Sequence, residues 1–292
     1  MNSANEKQRT ILGIYAHPDD EILGSGATLA HYANDGVHVA LVMATRGEAG
    51  EIQRPGTATP ETLPHVRVRE MECSATSLGV ADLIWLGYRD SGMEGSEGNE
   101  HPEAFINAPA EEVVGRLVRI IRRLRPDVVL TFEPYGGYGH PDHIAANRHT
   151  LAAFNAAGDP EQYPEAGAPW RPGRLFYPVI PTRTLREMRQ RMVAHDIDPG
   201  RMDDLINNRR KMGGWPDNEI HATLDVSATI ENKWKAWNCH RTQFGPNSRF
   251  RQLPEAEMKE ILSTEYFAMA RPAPTPGLTL DDLFGEIEGE GR

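Results

Sequence analysis

The chain has 292 residues, of which 39% are hydrophobic and 25% are charged, and its formal net charge is −11. This length suffices for one large globular domain or two small ones. The acidic balance argues against nucleic-acid binding, which needs a basic surface. No apolar stretch approaches the roughly 20 residues that cross a bilayer, and the polar first ten residues lack the apolar core of a signal peptide. We therefore expect a soluble, cytoplasmic protein without membrane association. Its two cysteines, Cys73 and Cys239, are too far apart in sequence for a short metal-binding or redox motif, and we expect them to be buried reduced thiols.

The first half of the chain alternates strand-like and helix-like segments. Strands separated by helices of this length form parallel βαβ units, so we expect an α/β fold with a Rossmann-like, doubly wound, mostly parallel sheet. A basic stripe on the third helix, formed by the arginines at 116, 119, 122, 123 and 125, is expected to face solvent. The predicted strands cover residues 11–16, 37–44, 81–86 and 128–132, and the predicted helices cover 24–34, 66–78 and 111–124.

The second half has a weaker pattern. We expect a single domain over residues 1–270, with a core at 11–157 and a C-terminal part at 175–270 that completes the pocket. Residues 271–292 are rich in Pro and Gly and then acidic, and we expect either a mobile tail or a contact in a homo-oligomer. The predicted elements are strands at 175–180 and 223–226 and helices at 184–194 and 228–240.

Two histidine-containing clusters follow two of the predicted strands. His17-Pro-Asp-Asp-Glu21 comes directly after the first strand, and His140-Pro-Asp-His143 follows the fourth. Ligands bind outside the carboxyl ends of parallel strands, so we expect both clusters at one edge of the sheet. A single His-Pro-Asp tripeptide could simply form a turn. Two such clusters at strand ends, with three histidines and three aspartates between them, instead favour one divided metal site.

The residue types and their spacing suggest a role for each member of the site. His17 and Asp20 lie on one turn and can reach one ion, and His143 can supply a third ligand from the neighbouring loop. Three protein ligands leave an open position, as in catalytic zinc sites, although Fe2+ also binds two histidines and one carboxylate. Asp19 need not coordinate and is placed to take a proton from a water that the ion acidifies. His140 would either stay protonated beside developing negative charge or hand a proton to a leaving amine.

The sequence AHPDDE at residues 16–21, together with GGYGHPDH at 136–143, resembles the LmbE-like (PIG-L) family of zinc-dependent N-deacetylases. Known members remove the acetyl group from N-acetylglucosamine joined to another moiety. The resemblance implies a hydrolase with one zinc ion per chain and a small amino-sugar conjugate as its substrate. Within the family it is nearest to the N-acetylglucosaminyl-inositol deacetylases of mycothiol biosynthesis and their sister S-conjugate amidases. Gly139 favours the deacetylases, because the amidases usually carry Pro there.

The resemblance also assigns roles to individual residues. For the metal ligands, for the base Asp19 and for His140, the roles that it implies are those suggested above. It adds Tyr138 as a contact to the substrate carbonyl oxygen. Asp142 and Glu21 are expected to orient the imidazoles. Three further positions match those that hold the sugar and its attached group: Glu51, Arg69 and Asp90. Arg69 could equally be a surface charge paired with a neighbouring glutamate.

Two other functions remain open at this point. One is an amidase that cleaves a larger amide, such as a mycothiol S-conjugate, on the same site. The other is a non-catalytic metal-binding or sugar-binding protein of the same fold. Asp19 argues against the second alternative, because a binding protein has no need of an uncoordinated carboxylate beside the ion.

Overall fold

The computed structural model describes residues 8–200, 202, 206, 214–245, 248 and 251–286. Its strands are β1 (Thr10–Tyr15), β2 (His38–Met43), β3 (Asp82–Trp85), β4 (Val128–Thr131), β5 (Arg174–Val179), β6 (Ala222–Asp225) and β7 (Thr264–Arg271). They form one sheet in the order β3-β2-β1-β4-β5-β7-β6. The first five strands are parallel, and β7 is antiparallel to both of its neighbours. The predicted α/β fold with a mostly parallel sheet is confirmed.

Helices cover both faces of this sheet. Successive residues of a strand point to opposite faces, and in β1 both faces are fully buried: Ile11 packs in one hydrophobic cluster and Leu12 in the other. This burial explains why the strand is a continuous apolar run. The helices of eight or more residues in the described ranges are α1 (Asp20–Asn34), α2 (Leu63–Leu78), α3 (Ala110–Leu124), α4 (Pro141–Ala157), α5 (Thr182–Ala194), α6 (Ile230–Cys239) and α7 (Glu255–Leu262). None of the helices in the described ranges combines the length and the apolar character needed to cross a membrane.

The predicted C-terminal tail is part of the folded domain as far as residue 286. Leu283 is fully buried, and its backbone N–H donates to the hydroxyl of Tyr32, 2.7 Å away. That hydroxyl in turn donates to Asp282. The prediction of a tail from residue 271 is therefore wrong for this stretch, because apolar residues late in the chain pack against α1. The remainder, residues 287–292, lies outside the described residues.

One arginine of the predicted basic stripe is buried. The guanidinium of Arg122 donates to the carbonyl oxygens of Ala157 (3.0 Å), Asp159 (2.7 Å) and Tyr163 (2.6 Å). Ala157 is the last residue of α4, and the other two residues lie in the loop that follows it. Carbonyl groups at and beyond the end of a helix have no partner within the helix, so Arg122 supplies their donors. The prediction that the whole stripe faces solvent is wrong for Arg122, whereas positions 119, 123 and 125 are exposed.

The two cysteines form a disulfide between α2 and α6. The Cα atoms of Cys73 and Cys239 are 5.8 Å apart, a separation usual for such bonds. The prediction of two buried reduced thiols is therefore wrong. Its cause is the packing of two helices whose cysteines are 166 residues apart, a contact that no local sequence pattern reveals.

Candidate metal centre

The two histidine clusters meet at the carboxyl edge of the sheet. β1 and β4 are parallel neighbours, with Ile14 opposite Thr131, so the loops that follow them leave the sheet side by side. His17 lies in the first of these loops, and His143 lies in the first turn of α4. Nδ1 of His17 is 3.1 Å from Nε2 of His143. Asp20 completes the group, with one oxygen 3.2 Å from Nε2 of His143 and the other 3.5 Å from Nδ1 of His17.

The hydrogen bonds of the two imidazoles determine which ring nitrogens carry protons. Nδ1 of His143 is 3.1 Å from the carbonyl oxygen of Gly136, which can only accept, so this nitrogen carries the proton. Nε2 of His17 is 3.2 Å from Asp142 and 3.4 Å from Asp90, so the proton of the neutral ring lies there. Carboxylates and carbonyls orient metal-binding histidines in this way. The predicted role of Asp142 therefore agrees with its contact to His17.

The chemistry of this ligand set fits a divalent cation. In their neutral forms the two imidazoles direct lone pairs toward the Asp20 carboxylate, and none of these atoms then has a proton to offer the others. Ligands about 2.0–2.2 Å from a tetrahedral metal lie about 3.3–3.5 Å from one another, close to the separations observed here. Burial by itself would lower the pKa of His17, but Asp90, Asp142 and Asp20 together raise it well above its usual value. The three carboxylates therefore favour a positive charge at this position.

Glycine at position 136 allows the second loop to approach His143. Gly136 has a φ of 70°, and a Cβ added to it would lie only 2.8 Å from Cβ of His143. Only glycine meets both demands without strain. The carboxylate of Glu133 accepts the backbone N–H groups of Tyr135 and Gly137, both at 2.6 Å. Gly137 also has a φ of 70°, so both glycines of this loop adopt the left-handed conformation that favours glycine.

Asp19 has an unusual backbone conformation and a charged partner. Its φ is 110°, in the left-handed region that residues other than glycine rarely adopt. Its carboxylate lies 3.3 Å from the guanidinium of Arg67 and is 20% exposed. Burial raises the pKa of Asp19 to about 6, although Arg67 acts in the opposite direction. A carboxyl group with this pKa is suited to accept a proton near neutral pH.

Arg67 was not predicted from the sequence as a member of the site. Its side chain is buried, and it donates to the carbonyl oxygens of Pro18 and Gly47. A signal was available, because Arg67 lies four residues after Leu63 and four before Met71, both buried on the inner face of α2. A charged residue on such a face needs a buried partner.

His140 and Tyr138 lie beside the converging ligands. Nδ1 of His140 accepts the backbone N–H of Asp142 at 3.2 Å, which leaves the ring proton on Nε2. Burial and the neighbouring His17 and His143 lower the pKa of His140 to about 3, so the ring is neutral near pH 7. Tyr138 is 45% exposed, and its ring centroid is 5.1 Å from that of His143.

The residues predicted to hold the sugar have different surroundings. Asp90 is buried, accepts the N–H groups of Gly92 (2.8 Å) and Ala49 (3.1 Å), and faces the imidazole of His17. Glu51 is exposed and accepts a hydrogen bond from the side chain of Gln53. Arg69 is also exposed and lines a shallow cavity beside the disulfide. Asp90 therefore joins the metal-site cluster, whereas no hydrogen bond or ion pair among the described residues links Glu51 or Arg69 to it.

The doubly wound sheet, the convergent ligands at its carboxyl edge and the separate carboxylate beside them define a metal-dependent hydrolase of Rossmann-like fold. Comparison with known proteins agrees. The sequence profile of the PIG-L family, described as GlcNAc-PI de-N-acetylase, matches residues 12–154. The chain belongs to this family.

Relatives match over almost the whole chain. A protein of Streptomyces scabiei is 37% identical over 96% of this chain and 90% of its own length. A protein of Thermobifida fusca is 38% identical over 92% and 96%. Both are named 1D-myo-inositol 2-acetamido-2-deoxy-alpha-D-glucopyranoside deacetylase. The fold is shared with the N,N'-diacetylchitobiose deacetylase of Pyrococcus horikoshii, with a TM-score of 0.63 and 21% identity over 93% of this chain and 85% of that one.

Proposed function

We propose that this protein is a zinc-dependent deacetylase that removes the N-acetyl group from N-acetylglucosamine joined to inositol. The names of its full-length relatives support this substrate. The observation that carries the proposal is the convergence of His17, Asp20 and His143 beside a second carboxylate, Asp19, that pairs with Arg67 instead. A site for binding alone would not need that second carboxylate.

Zinc, held by His17, Asp20 and His143, would polarise the acetyl carbonyl and lower the pKa of a water molecule. Asp19 takes a proton from this water as it attacks the carbonyl carbon. The same proton passes from Asp19 to the nitrogen of the leaving amine, so the reaction consumes water and releases acetate and a free amine. His140 is neutral with its proton on Nε2, and it donates to the negative charge that develops on the carbonyl oxygen. Tyr138 supplies a second donor at the exposed side of the site.

The substrate hydroxyls need partners that form several hydrogen bonds. We assign Glu51 and Arg69 to this role, because both side chains are exposed and can be reached by a ligand. Asp90 was predicted to share it, but its burial against His17 favours a role in orienting that imidazole. Sites that bind hydroxyls in this way reject analogues that lack them, since their polar groups would be left unpaired.

A panel of amides tests this proposal. Acetate and amine release would be measured on N-acetylglucosaminyl-inositol, on N,N'-diacetylchitobiose and on a bulky S-conjugate amide, each with zinc-loaded and chelator-treated protein. We expect metal-dependent acetate release that is fastest on the inositol conjugate. Cleavage of the bulky amide alone would instead establish the amidase, and zinc binding without any cleavage would favour a binding protein.

We also propose the cytoplasm as the site of action, because the relatives are named for a reaction on a small sugar–inositol conjugate. Disulfides are uncommon there and, when present, are usually transient. Trapping the thiols of Cys73 and Cys239 in intact cells would show whether their bond forms in that compartment. A stable, fully oxidised pair in every growth condition would argue against a cytoplasmic location.

A further inference from the structure

Glu21 is a buried carboxylate whose two oxygens bind different partners. It lies in the first turn of α1 and has no exposed surface. Oε1 accepts the hydroxyl of Ser74 at 2.6 Å and Nε2–H of His240 at 2.7 Å. Oε2 accepts the backbone N–H of Asp19 at 2.9 Å. The prediction that Glu21 orients the metal-binding imidazoles is therefore wrong, since it contacts Asp19 and a different histidine.

Three helices hold this carboxylate in place. Ser74 lies on α2, and His240 directly follows α6. Each is adjacent in sequence to one cysteine of the disulfide that joins these two helices. Burial alone would lower the pKa of His240, but the charge and the hydrogen bond of Glu21 raise it. A buried carboxylate needs such partners, and here they leave Oε2 directed at Asp19.

The partner of Oε2 is Asp19, whose backbone conformation is unusual. Asp19 has φ 110° and ψ −19°, and such a conformation persists only where its surroundings over-determine it. Three contacts do so: Glu21 holds the backbone N–H, the N–H of Ile22 donates to the backbone carbonyl oxygen at 3.1 Å, and Arg67 holds the carboxylate. The contact to Glu21 also directs the side chain of Asp19, because it fixes the peptide group that precedes the Cα atom of this residue.

We propose that Glu21 is a positioning residue for hydrolysis, which fixes the backbone of Asp19 so that its carboxylate faces the attacking water. The inference rests on the proposed function only in naming Asp19 as the base. Displacing a catalytic group by about 1 Å costs roughly 100-fold in rate. Loss of the acceptor at position 21 is therefore expected to lower kcat about 100-fold.

Two substitutions separate the hydrogen-bond acceptor from the charge. Glu21→Met fills the same space without an acceptor. Glu21→Gln keeps a carbonyl oxygen for the N–H of Asp19, and its amide can donate to Ser74 and to His240. His240 can adapt, because its Nδ1 has no hydrogen-bond partner among the described residues and can take the ring proton. We expect Glu21→Gln to retain kcat within about tenfold of the parent, and Glu21→Met to lose about 100-fold.

The matched control is Glu70→Met. Glu70 is another buried carboxylate, on α2, and it accepts the backbone N–H (2.8 Å) and the hydroxyl (2.6 Å) of Thr242. Its loss should destabilise the fold without a selective loss of kcat.

In the Glu21→Met variant we expect KM within about threefold of the parent and one zinc per chain. In an Asp19→Ala background, Glu21→Met should lower kcat by less than about threefold, because residues that act through one another are not additive.

The experiment combines these kinetics with crystal structures of the parent and the Glu21→Met variant. A kcat within threefold of the parent in Glu21→Met, or a full further loss in the Asp19→Ala background, would overturn the proposal. So would an unchanged φ and Arg67 contact at Asp19 in the variant. If the parent cleaves no N-acetyl amide, the proposed function fails, and the two crystal structures still decide whether Glu21 positions Asp19.

Discussion

The guanidinium of Arg67 lies 3.3 Å from the carboxylate of Asp19. Arg67 also donates to the carbonyl oxygen of Pro18, so it holds the turn as well as the charge. The loop after β2 must come close for this to happen: a Cβ at Gly47 would lie 1.8 Å from the guanidinium. One buried arginine thus links the turn after β1 to the loop after β2.

Arg67→Met should reduce activity most at low pH. The positive charge of Arg67 lowers the pKa of Asp19, so its removal raises that pKa. Because Asp19 must be ionised to accept a proton, the acidic limb of the kcat/KM profile should move to higher pH. The measurement is a pH–rate series with Arg119→Met, an exposed change on α3, as the control. An unshifted acidic limb would show that Arg67 does not act on the base.

His17→Ala should abolish both zinc binding and turnover. The substitution removes one of three convergent ligands, and the remaining pair cannot complete a three-ligand site. Zinc per chain after dialysis, measured by elemental analysis, is the readout. His38→Ala is the control, because His38 bonds Asp82 at the far edge of the sheet. Full zinc retention in His17→Ala would remove His17 from the ligand set.

Lys233→Met should destabilise the fold without touching the metal site. Lys233 is fully buried, 2.7 Å from Glu265, and it also donates to the carbonyl oxygen of Leu23. Removing one member of a buried ion pair costs about 3–5 kcal/mol, because the other charge is left unpaired. Lys259→Met, which breaks pairs with largely exposed glutamates, should cost at most about 1 kcal/mol. Urea unfolding of zinc-loaded protein compares the two, and equal losses would contradict the assignment.

Breaking the disulfide should also lower stability. It closes a loop between residues 166 apart, and loss of a native disulfide typically costs about 2–5 kcal/mol. The double variant Cys73→Ser, Cys239→Ser would be compared with the oxidised and the reduced parent by urea unfolding. Reduced parent and double variant should agree with each other and differ from the oxidised parent. Three coincident curves would show that the bond contributes nothing to the folded state.

Much of the site was predictable, because its positions follow from one rule of parallel sheets. His17 comes two residues after β1, and His143 lies in the first turn of the helix that follows β4. Neighbouring parallel strands bring the segments that follow them together. Helix α4 was harder to predict, since it begins with the polar cluster that contains His143 and continues with alanines and polar residues that form no apolar stripe. β7 pairs antiparallel between two strands that precede it in sequence, and no local pattern encodes that insertion.

The supporting contacts of Asp19 were not predictable in the same way. Arg67 reaches it from α2, and Glu21 depends on Ser74 and His240, which are remote in sequence. The motif identifies the carboxylates but not the partner of each. Those partners are set by how α1, α2 and α6 pack, which is a property of the whole fold.

The most direct test of the account is turnover and zinc content measured together in Asp19→Ala. We predict that the variant keeps one zinc per chain, since Asp19 pairs with Arg67 and is not among the three convergent ligands. Acetate release from N-acetylglucosaminyl-inositol should fall by about 10²–10⁴-fold, the contribution of a general base. A variant that loses its zinc, or that keeps both zinc and full activity, would contradict the assignment of Asp19 as the base.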